Sequence, residues 1–507
     1  MPVRISVFQP GRARVPILQG HFFLPLASPD RALGFERSPN GVQAFSDGTL
    51  FGSGSKRKNI FNERASSMSY SLNRRQFVQQ SSALLGAGLF AGFSPVPAAD
   101  GPNDKLNIAA VGVANKARHN LDELAGQNIV AFCDVDENFL KQASERWPQA
   151  RTYRDYRKML EAEANKCDAV VVSTADHTHA PAASVAMDLG KHVYVEKPLA
   201  HTVAEARALA KVAAKKKLAT QMGTQIHATD NYRRVVELIQ GGAIGKVSAV
   251  YNWCNKGWSD GRFGAEKPVP ANLDWDLWLG PAKQRPYCDG IHPGNWRRFW
   301  EYGSGTFGDM ACHVMDLPFW ALNLRNPLSV ACEGPETHPD GAPAWAKATY
   351  EFPGQAGSNT PLKFYWSDGN AHFDLVKETK DHDGKPLSSW GLGILFVGDK
   401  GMLAADYGRR QLLPQDGFKD FKAPEQSIPA SIGHWNEWVK ACKTGSPTTC
   451  NFDYSGALSE TVLLGIVAFR AGEKLIWDSA NLKATNSTKA AAYIHKEYRK
   501  GFEVVGL

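Results

Sequence analysis

The stretch Val193-Tyr194-Val195-Glu196-Lys197-Pro198 decides how this chain is read. A short apolar run with β-prone side chains ends in an acid, a lysine and a proline. A parallel strand that ends this way delivers its charged side chains to the carboxyl edge of a sheet. The proline, which lacks an N–H, closes the ladder behind them. Taken alone, the tripeptide is more simply a strand-end turn with a solvated lysine, and the surrounding chain reverses that reading. Strand-like runs at Leu106–Val113, Asn128–Cys133, Cys167–Thr174 and Ala219–Gly223 alternate with helical stretches at 154–164, Ala182–Leu189 and Val203–Lys217. This alternation predicts an α/β fold with a doubly wound parallel sheet, whose ligands sit at the carboxyl ends of the strands. Asp134, Asp176, His177 and Lys197 all fall at such ends.

In a dinucleotide-binding fold the first strand runs into a G-x-G-x-x-G loop. The register here gives Gly112, Ala114 and Ala117, with Asn115-Lys116 between them. Only the first glycine is kept; alanine permits a close approach but does not take a positive φ cheaply. Asp134 follows Gly112 by 22 residues. An acid at that spacing suits a ribose 2′-hydroxyl and favours NAD over NADP. Capping of the helix that starts at Glu137 is the equal alternative. The candidate cofactor-binding set is Gly112, Ala114, Asn115, Asp134, Thr174, Asp176, His177, His179, Glu196 and Lys197. His177 and His179 have no carboxylate or cysteine cluster to complete a ligand set, so no metal is expected.

The chain has 507 residues, room for two or three domains, with 43% hydrophobic and 21% charged residues. Its formal charge of +7 belongs to the first 99 residues, which hold 11 Lys and Arg against 4 Asp and Glu. The remainder carries 47 of each sign, so no nucleic-acid partner is expected. Residues 1–67 are rich in Gly, Pro, Ser and Arg without periodicity, and are expected to be disordered or not translated. From Met68 the chain reads as an export signal over 68–99. Arg74-Arg75 precedes a small-residue apolar run, Ala83–Phe93, and the stretch ends near Ala99. The expectation is export by the twin-arginine route to the periplasm, with no stable membrane span after cleavage. The run is short and glycine-rich for a span. None of the eight cysteines forms a CxxC pair, and buried thiols are expected.

The composition changes after Ala228. A helix over Asn231–Gly241 leads to a strand at Lys246–Asn252 that opens a new sheet. Six of the 14 tryptophans lie between Trp253 and Trp300, in a stretch long enough to be functional. Their faces serve core packing or stacking on sugar CH groups. Asp309, His313 and Asp316 fall at i, i+4 and i+7, one face of a helix. The spacing sets a base beside a carboxylate that fixes its tautomer; a capping Asp with a core His is the plainer alternative. Short alternating strands between Val330 and Asp406 predict a mostly antiparallel sheet. Helices follow at 432–443 and 455–472, the second apolar nearly all round and so buried. The expected division is a dinucleotide-binding domain at 104–228 and a substrate and oligomerisation domain at 229–507.

In order along the chain stand Asp176-His177-Thr178-His179, Glu196-Lys197-Pro198, Gly223-Thr224-Gln225 with Asn231-Tyr232-Arg233-Arg234, Trp275-Asp276-Leu277-Trp278-Leu279-Gly280-Pro281, and Gly308-Asp309-Met310 with His313. Together they resemble the Gfo/Idh/MocA oxidoreductases, over roughly residues 104–507. The resemblance implies a Rossmann domain followed by an α/β domain with a large, open, predominantly antiparallel sheet. It implies a carbohydrate substrate and a homo-oligomer, dimer or tetramer. Lys197, Asp309 and His313 would be the catalytic group, with Gln225, His292, Trp296 and Arg297 as candidate substrate contacts. The activity implied is hydride transfer between a sugar hydroxyl and a tightly held NAD. Two other readings stay open: an NAD-dependent glycoside hydrolase working by transient oxidation and elimination, and a non-catalytic sugar-binding protein on an altered glycine loop.

Overall fold

A computed structural model describes residues 104–355 and 358–507; the expected leader and export signal lie outside the described residues. Its first sheet has six strands: β1 (Asn107–Val111), β2 (Asn128–Cys133), β3 (Arg151–Tyr153), β4 (Ala169–Val172), β5 (His192–Val195) and β6 (Thr220–Met222). They lie in the order β3-β2-β1-β4-β5-β6, and every neighbouring pair is parallel. The Ala-Val-Val-Val run of β4 is buried throughout, as a central parallel strand covered on both faces must be. Helix starts are set by local chemistry. Asp136 accepts the N–H of Asn138 and Asp155 that of Arg157, and Thr202 with Glu205 forms a capping box.

The helix after β4 begins earlier than the sequence pattern indicated: it spans Asp176–Asp188, with Pro181 inside it. A proline there cannot donate to the carbonyl of His177 four residues back. Lys496 Nζ donates to that carbonyl instead, at 3.2 Å, so the chain's tail compensates the missing bond.

The second sheet has nine strands in the order β13-β12-β11-β7-β10-β9-β8-β14-β15. They are β7 (Val247–Cys254), β8 (Ser329–Glu333), β9 (Lys347–Phe352), β10 (Leu362–Asp368), β11 (Leu392–Gly398), β12 (Met402–Ala405), β13 (Arg410–Leu413), β14 (Leu475–Asp478) and β15 (Lys483–Ala484). All adjacent pairs are antiparallel except β7 with β10.

Two helices of the second half complete the first sheet's surroundings. In His434–Thr444, Trp438 is buried against Tyr194 of β5. The helix Phe452–Ala471 is the buried apolar one anticipated; it packs on Val203–Lys216, where Arg207 grips Glu460 through two bonds of 2.6 Å. All eight cysteines are free thiols.

Candidate active site

The loop after β1 makes a cradle for a phosphate-bearing ligand. Gly112 has φ +88°, and a Cβ there would stand 2.5 Å from the carbonyl oxygen of Ser173, so only glycine fits. Asn115 takes φ +53° and ψ −117°, a backbone conformation ordinarily left to glycine, and the loop turns here without the second glycine. The helix Lys116–Glu123 follows, and its first residue lines the cavity. A cavity of about 330 Å³ runs from here past Asp134 and Thr174 to Trp296 and Arg297. Asp134 Oδ2 accepts the N–H of Val113 and Oδ1 that of Asp136, both at 3.1 Å. Burial raises the Asp134 carboxyl to about 6, against the pull of those donors. Asp136, not Asp134, caps the following helix, so Asp134 is left to the ligand. A Gly112 cradle, a helix N-terminus and a fixed acid at the second strand end match the needs of a bound NAD.

The Trp-rich stretch folds back over this cleft. Leu273 bridges to Asp136, and Asp274 N–H donates to the Val135 carbonyl at 3.0 Å. Trp275 and Trp278 stack at 4.7 Å and 10° within a small aromatic core that also holds Tyr287, Phe299 and Tyr302. Trp275 and Trp278 therefore pack against protein, with Trp278 also lining the cleft. Trp296 is also buried, with the Arg297 guanidinium 4.2 Å from its ring.

Lys197, Asp309 and His313 meet where the two halves join. The helix Gly305–Val314 carries Asp309 and His313 toward the end of β5. Lys197 Nζ donates to Asp309 Oδ1 at 2.5 Å and to the Asp309 carbonyl at 2.8 Å. Arg297 Nε lies 2.9 Å from the same Oδ1. Burial raises the Asp309 pKa, but the charges of Lys197 and Arg297 outweigh it and hold the carboxyl far below the usual carboxylate range. His313 is buried, with Nδ1 lacking any hydrogen-bond partner. Burial first, then the charge of Lys197, keeps its imidazole neutral well below the ordinary value, while Asp309 pulls the other way.

The structure revises several expectations. Asp309 does not hold the His313 tautomer; it is engaged by Lys197 and Arg297. Asp316 is not on the same face, because the helix ends at Val314 and a new one starts at Asp316. Its carboxylate takes His227 Nδ1 at 2.9 Å and the Tyr454 hydroxyl at 2.7 Å, inside the core. His177, expected at the cofactor, borders the cleft, but both its ring nitrogens face main-chain carbonyls, of Tyr302 at 3.3 Å and Trp278 at 3.1 Å. It clamps the Trp-rich loop. His179 is likewise spent on the carbonyls of Pro198 at 2.8 Å and Thr174 at 3.1 Å, tying the ends of β4 and β5 together. Glu196 turns inward to Asn120 Nδ2 at 2.9 Å, where Gly223 leaves just enough room for it. His292, expected at the substrate, stands on the nucleotide side, 2.9 Å from Asp136.

Gly112, Ala114, Asn115, Asp134, Thr174, Trp296 and Arg297 do line the cleft. Asp176 lies beside the Lys197, Asp309 and His313 trio, with Oδ1 buried and unpartnered. Its carboxyl is pushed up to about 7 by burial, against Arg297 and Lys197. Gln225 follows β6 with a buried, unpartnered Oε1 and makes no hydrogen bond to the trio. The contacts of Asn120, the Asp136–His292 pair and the grip of Arg297 on Asp309 carry no sequence signal, since each joins residues far apart in the chain.

Known proteins match this architecture. Residues 106–224 match the profile of an oxidoreductase family described as having an NAD-binding Rossmann fold, and residues 237–373 match that family's C-terminal alpha/beta domain. An inositol 2-dehydrogenase of Salmonella paratyphi B is 25% identical over 151 residues, which is 29% of this chain and 44% of the relative. A glycosyl hydrolase family 109 protein of Shewanella pealeana is 27% identical over 207 residues, 35% of this chain and 44% of the relative. The aligned stretches thus span under half the length of these relatives. Among solved structures, GenD2 from gentamicin A biosynthesis, in complex with NAD, superposes with a TM-score of 0.52 at 20% identity. The superposition covers 76% of this chain and 99% of that one, a likeness of fold. The matching profiles, the two sheets and the glycine-loop cleft agree: this chain belongs to the Gfo/Idh/MocA oxidoreductase family.

Proposed function

We propose that the protein transfers a hydride between a secondary hydroxyl of a sugar or sugar derivative and NAD. The observation that carries this is a neutral, unpartnered His313 beside a Lys197–Asp309–Arg297 charge cluster at the edge of the nucleotide cleft. When bound, NAD supplies the hydride acceptor. His313 takes the hydroxyl proton at Nε2, its Nδ1 being buried. Lys197 holds the same oxygen and offsets its growing negative charge. Asp309, itself held by Arg297, fixes the lysine ammonium in place, which makes both positioning residues. The twin-arginine pattern at Arg74-Arg75 supports export with NAD already loaded, and the family resemblance supports a homo-oligomer.

A second reading is glycoside cleavage by transient oxidation, elimination and re-reduction. The Shewanella relative and the near-neutral pKa of Asp176, a group able to protonate a leaving oxygen, both favour it. The test is to purify the full chain without added nucleotide, measure released NAD(H), and screen sugars and glycosides. Stoichiometric NAD(H) with sugar-dependent NADH formation supports the dehydrogenase. Release of a free sugar without NADH supports the glycosidase. A chain that neither carries nor binds NAD overturns both.

A further inference from the structure

Near His313 lies a second cavity, of about 580 Å³, that shares no lining residue with the nucleotide cleft. It is formed where β7 ends at Cys254, where β11 begins, and by the turn between β12 and β13. Asn255, Lys256, Tyr407 and Arg409 supply its polar groups. The Tyr407 ring, one wall of the cavity, lies 6.3 Å from the His313 ring and packs edge-on against the candidate base. Resting on the oxidoreductase reading above, we propose that this cavity receives the substrate and selects a sugar carrying a carboxylate, which Lys256 recognises.

Three observations support the assignment. First, Asn255 Oδ1 is buried without a hydrogen-bond partner. A buried acceptor left open can take a donor from a ligand, such as a sugar hydroxyl.

Second, the cavity's charges are unequally committed. Arg409 Nε is held by Asp406 at 2.6 Å and the guanidinium lies 3.9 Å from the Trp390 ring. Asp406 is itself saturated by the N–H groups of Gly408 and Arg409 at 2.8 and 2.6 Å. It therefore does not present a free repelling carboxylate. Lys256, by contrast, makes no ion pair among the described residues.

Third, cations outnumber acids among the charges that act on His313. Lys197, Lys116 and Lys256 all act on His313, against Asp309 as the opposing charge. Lys116 is likewise not ion-paired; it lies 5.2 Å from the Trp435 ring. A neutral polyol gains nothing from this excess, whereas a carboxylate does, as lysine acts as a point charge toward an acid.

The test uses the full chain with its nucleotide bound and isothermal titration with matched pairs: D-glucuronate against D-glucose, D-galacturonate against D-galactose, and D-gluconate against D-glucitol. At least one acid should bind ten-fold or more tightly than its neutral counterpart, with an affinity that falls as salt rises. Lys256→Met should erase that preference while leaving neutral-sugar binding within two-fold and bound NAD unchanged. Lys256→Arg should restore most of it. If every acid binds no better than its counterpart, or Lys256→Met discriminates as the wild type does, the proposal is overturned. Turnover of neutral sugars by the same preparation would then leave the oxidoreductase reading standing. A chain that neither carries nor binds NAD would count against that reading, and the same matched titrations repeated on it would still compare acid with neutral sugar at Lys256.

Discussion

Lys197 and Asp309 are 112 positions apart in the chain, yet Lys197 Nζ reaches both the side chain and the carbonyl oxygen of Asp309, at 2.5 and 2.8 Å. One residue ends a strand of the first sheet and the other stands on a helix of the second half, so this contact is where the two halves meet chemically. Both groups are nearly buried. Removing one partner of a buried pair typically costs about 3–5 kcal/mol, because the survivor is left uncompensated. Here Arg297 remains beside Asp309 and reduces that loss. Lys197→Met should therefore lower the unfolding temperature measurably, and Lys197→Met with Asp309→Asn should recover part of it. Calorimetry on the two variants decides; equal destabilisation would mean that the pair contributes little.

His313→Ala should lower turnover by about 10²–10⁴-fold, the usual contribution of a general base, with bound NAD retained. Because burial and Lys197 keep His313 neutral well below its ordinary value, the pH–rate profile should show no acid limb near pH 6.5 from this residue. Near wild-type turnover in the alanine variant would remove it from the mechanism.

Stability should depend on pH in two opposing ways. Burial lowers His177 and His434 to about 3 and His179 to about 4. These imidazoles stay neutral in the folded chain but charge near 6.5 once unfolded. Their stabilisation is present above pH 6.5 and is lost on acidification. Urea midpoints should therefore fall between pH 7 and pH 5. Asp176 behaves oppositely, since its carboxyl stays protonated when folded up to about 7 but ionises near 3.8 when unfolded. Its contribution is present at low pH and disappears as pH rises toward 7. Asp176→Asn, which keeps an uncharged group, should gain on the wild type as pH rises from 4 to 7 and then hold level. Parallel curves would contradict the buried, near-neutral acid.

Gly223→Ala should weaken the site without touching a ligand. The added Cβ would lie 2.6 Å from Glu196 Oε1, and Glu196 is tied to Asn120. Overpacking of this kind costs about 1–3 kcal/mol. A shift of the Glu196-Lys197 strand end should also reduce turnover. Gly112→Ala is expected to be harsher for NAD retention, because it combines positive φ with a backbone contact at 2.5 Å. Nucleotide content after purification distinguishes the two.

What the sequence determined by itself was local and periodic. Buried β-branched runs alternating with helices at short spacing admit little but a parallel doubly wound sheet, so the first sheet, its strand ends and the residues placed there could be read directly. The grouping of Lys197 with Asp309 came instead through the family resemblance of motifs that lie in a fixed order. The helix over 452–471 was legible because an all-round apolar face has nowhere to go but a core.

Only the tertiary structure decided which polar groups were already spent. His177 and His179 look like ligand contacts at a strand end, but main-chain carbonyls from the loops after β4 and β5 and from the Trp-rich stretch consume their ring nitrogens. Asp316 continued the helical spacing of Asp309 and His313, yet one break at Met315 sent it into the core. Arg297 reached Asp309, and Tyr407 came to pack against His313, through loops whose course no periodicity records. A hydrogen-bond partner or a neighbouring charge is a property of distance in space. Spacing along a chain reports that distance only within one helix or strand.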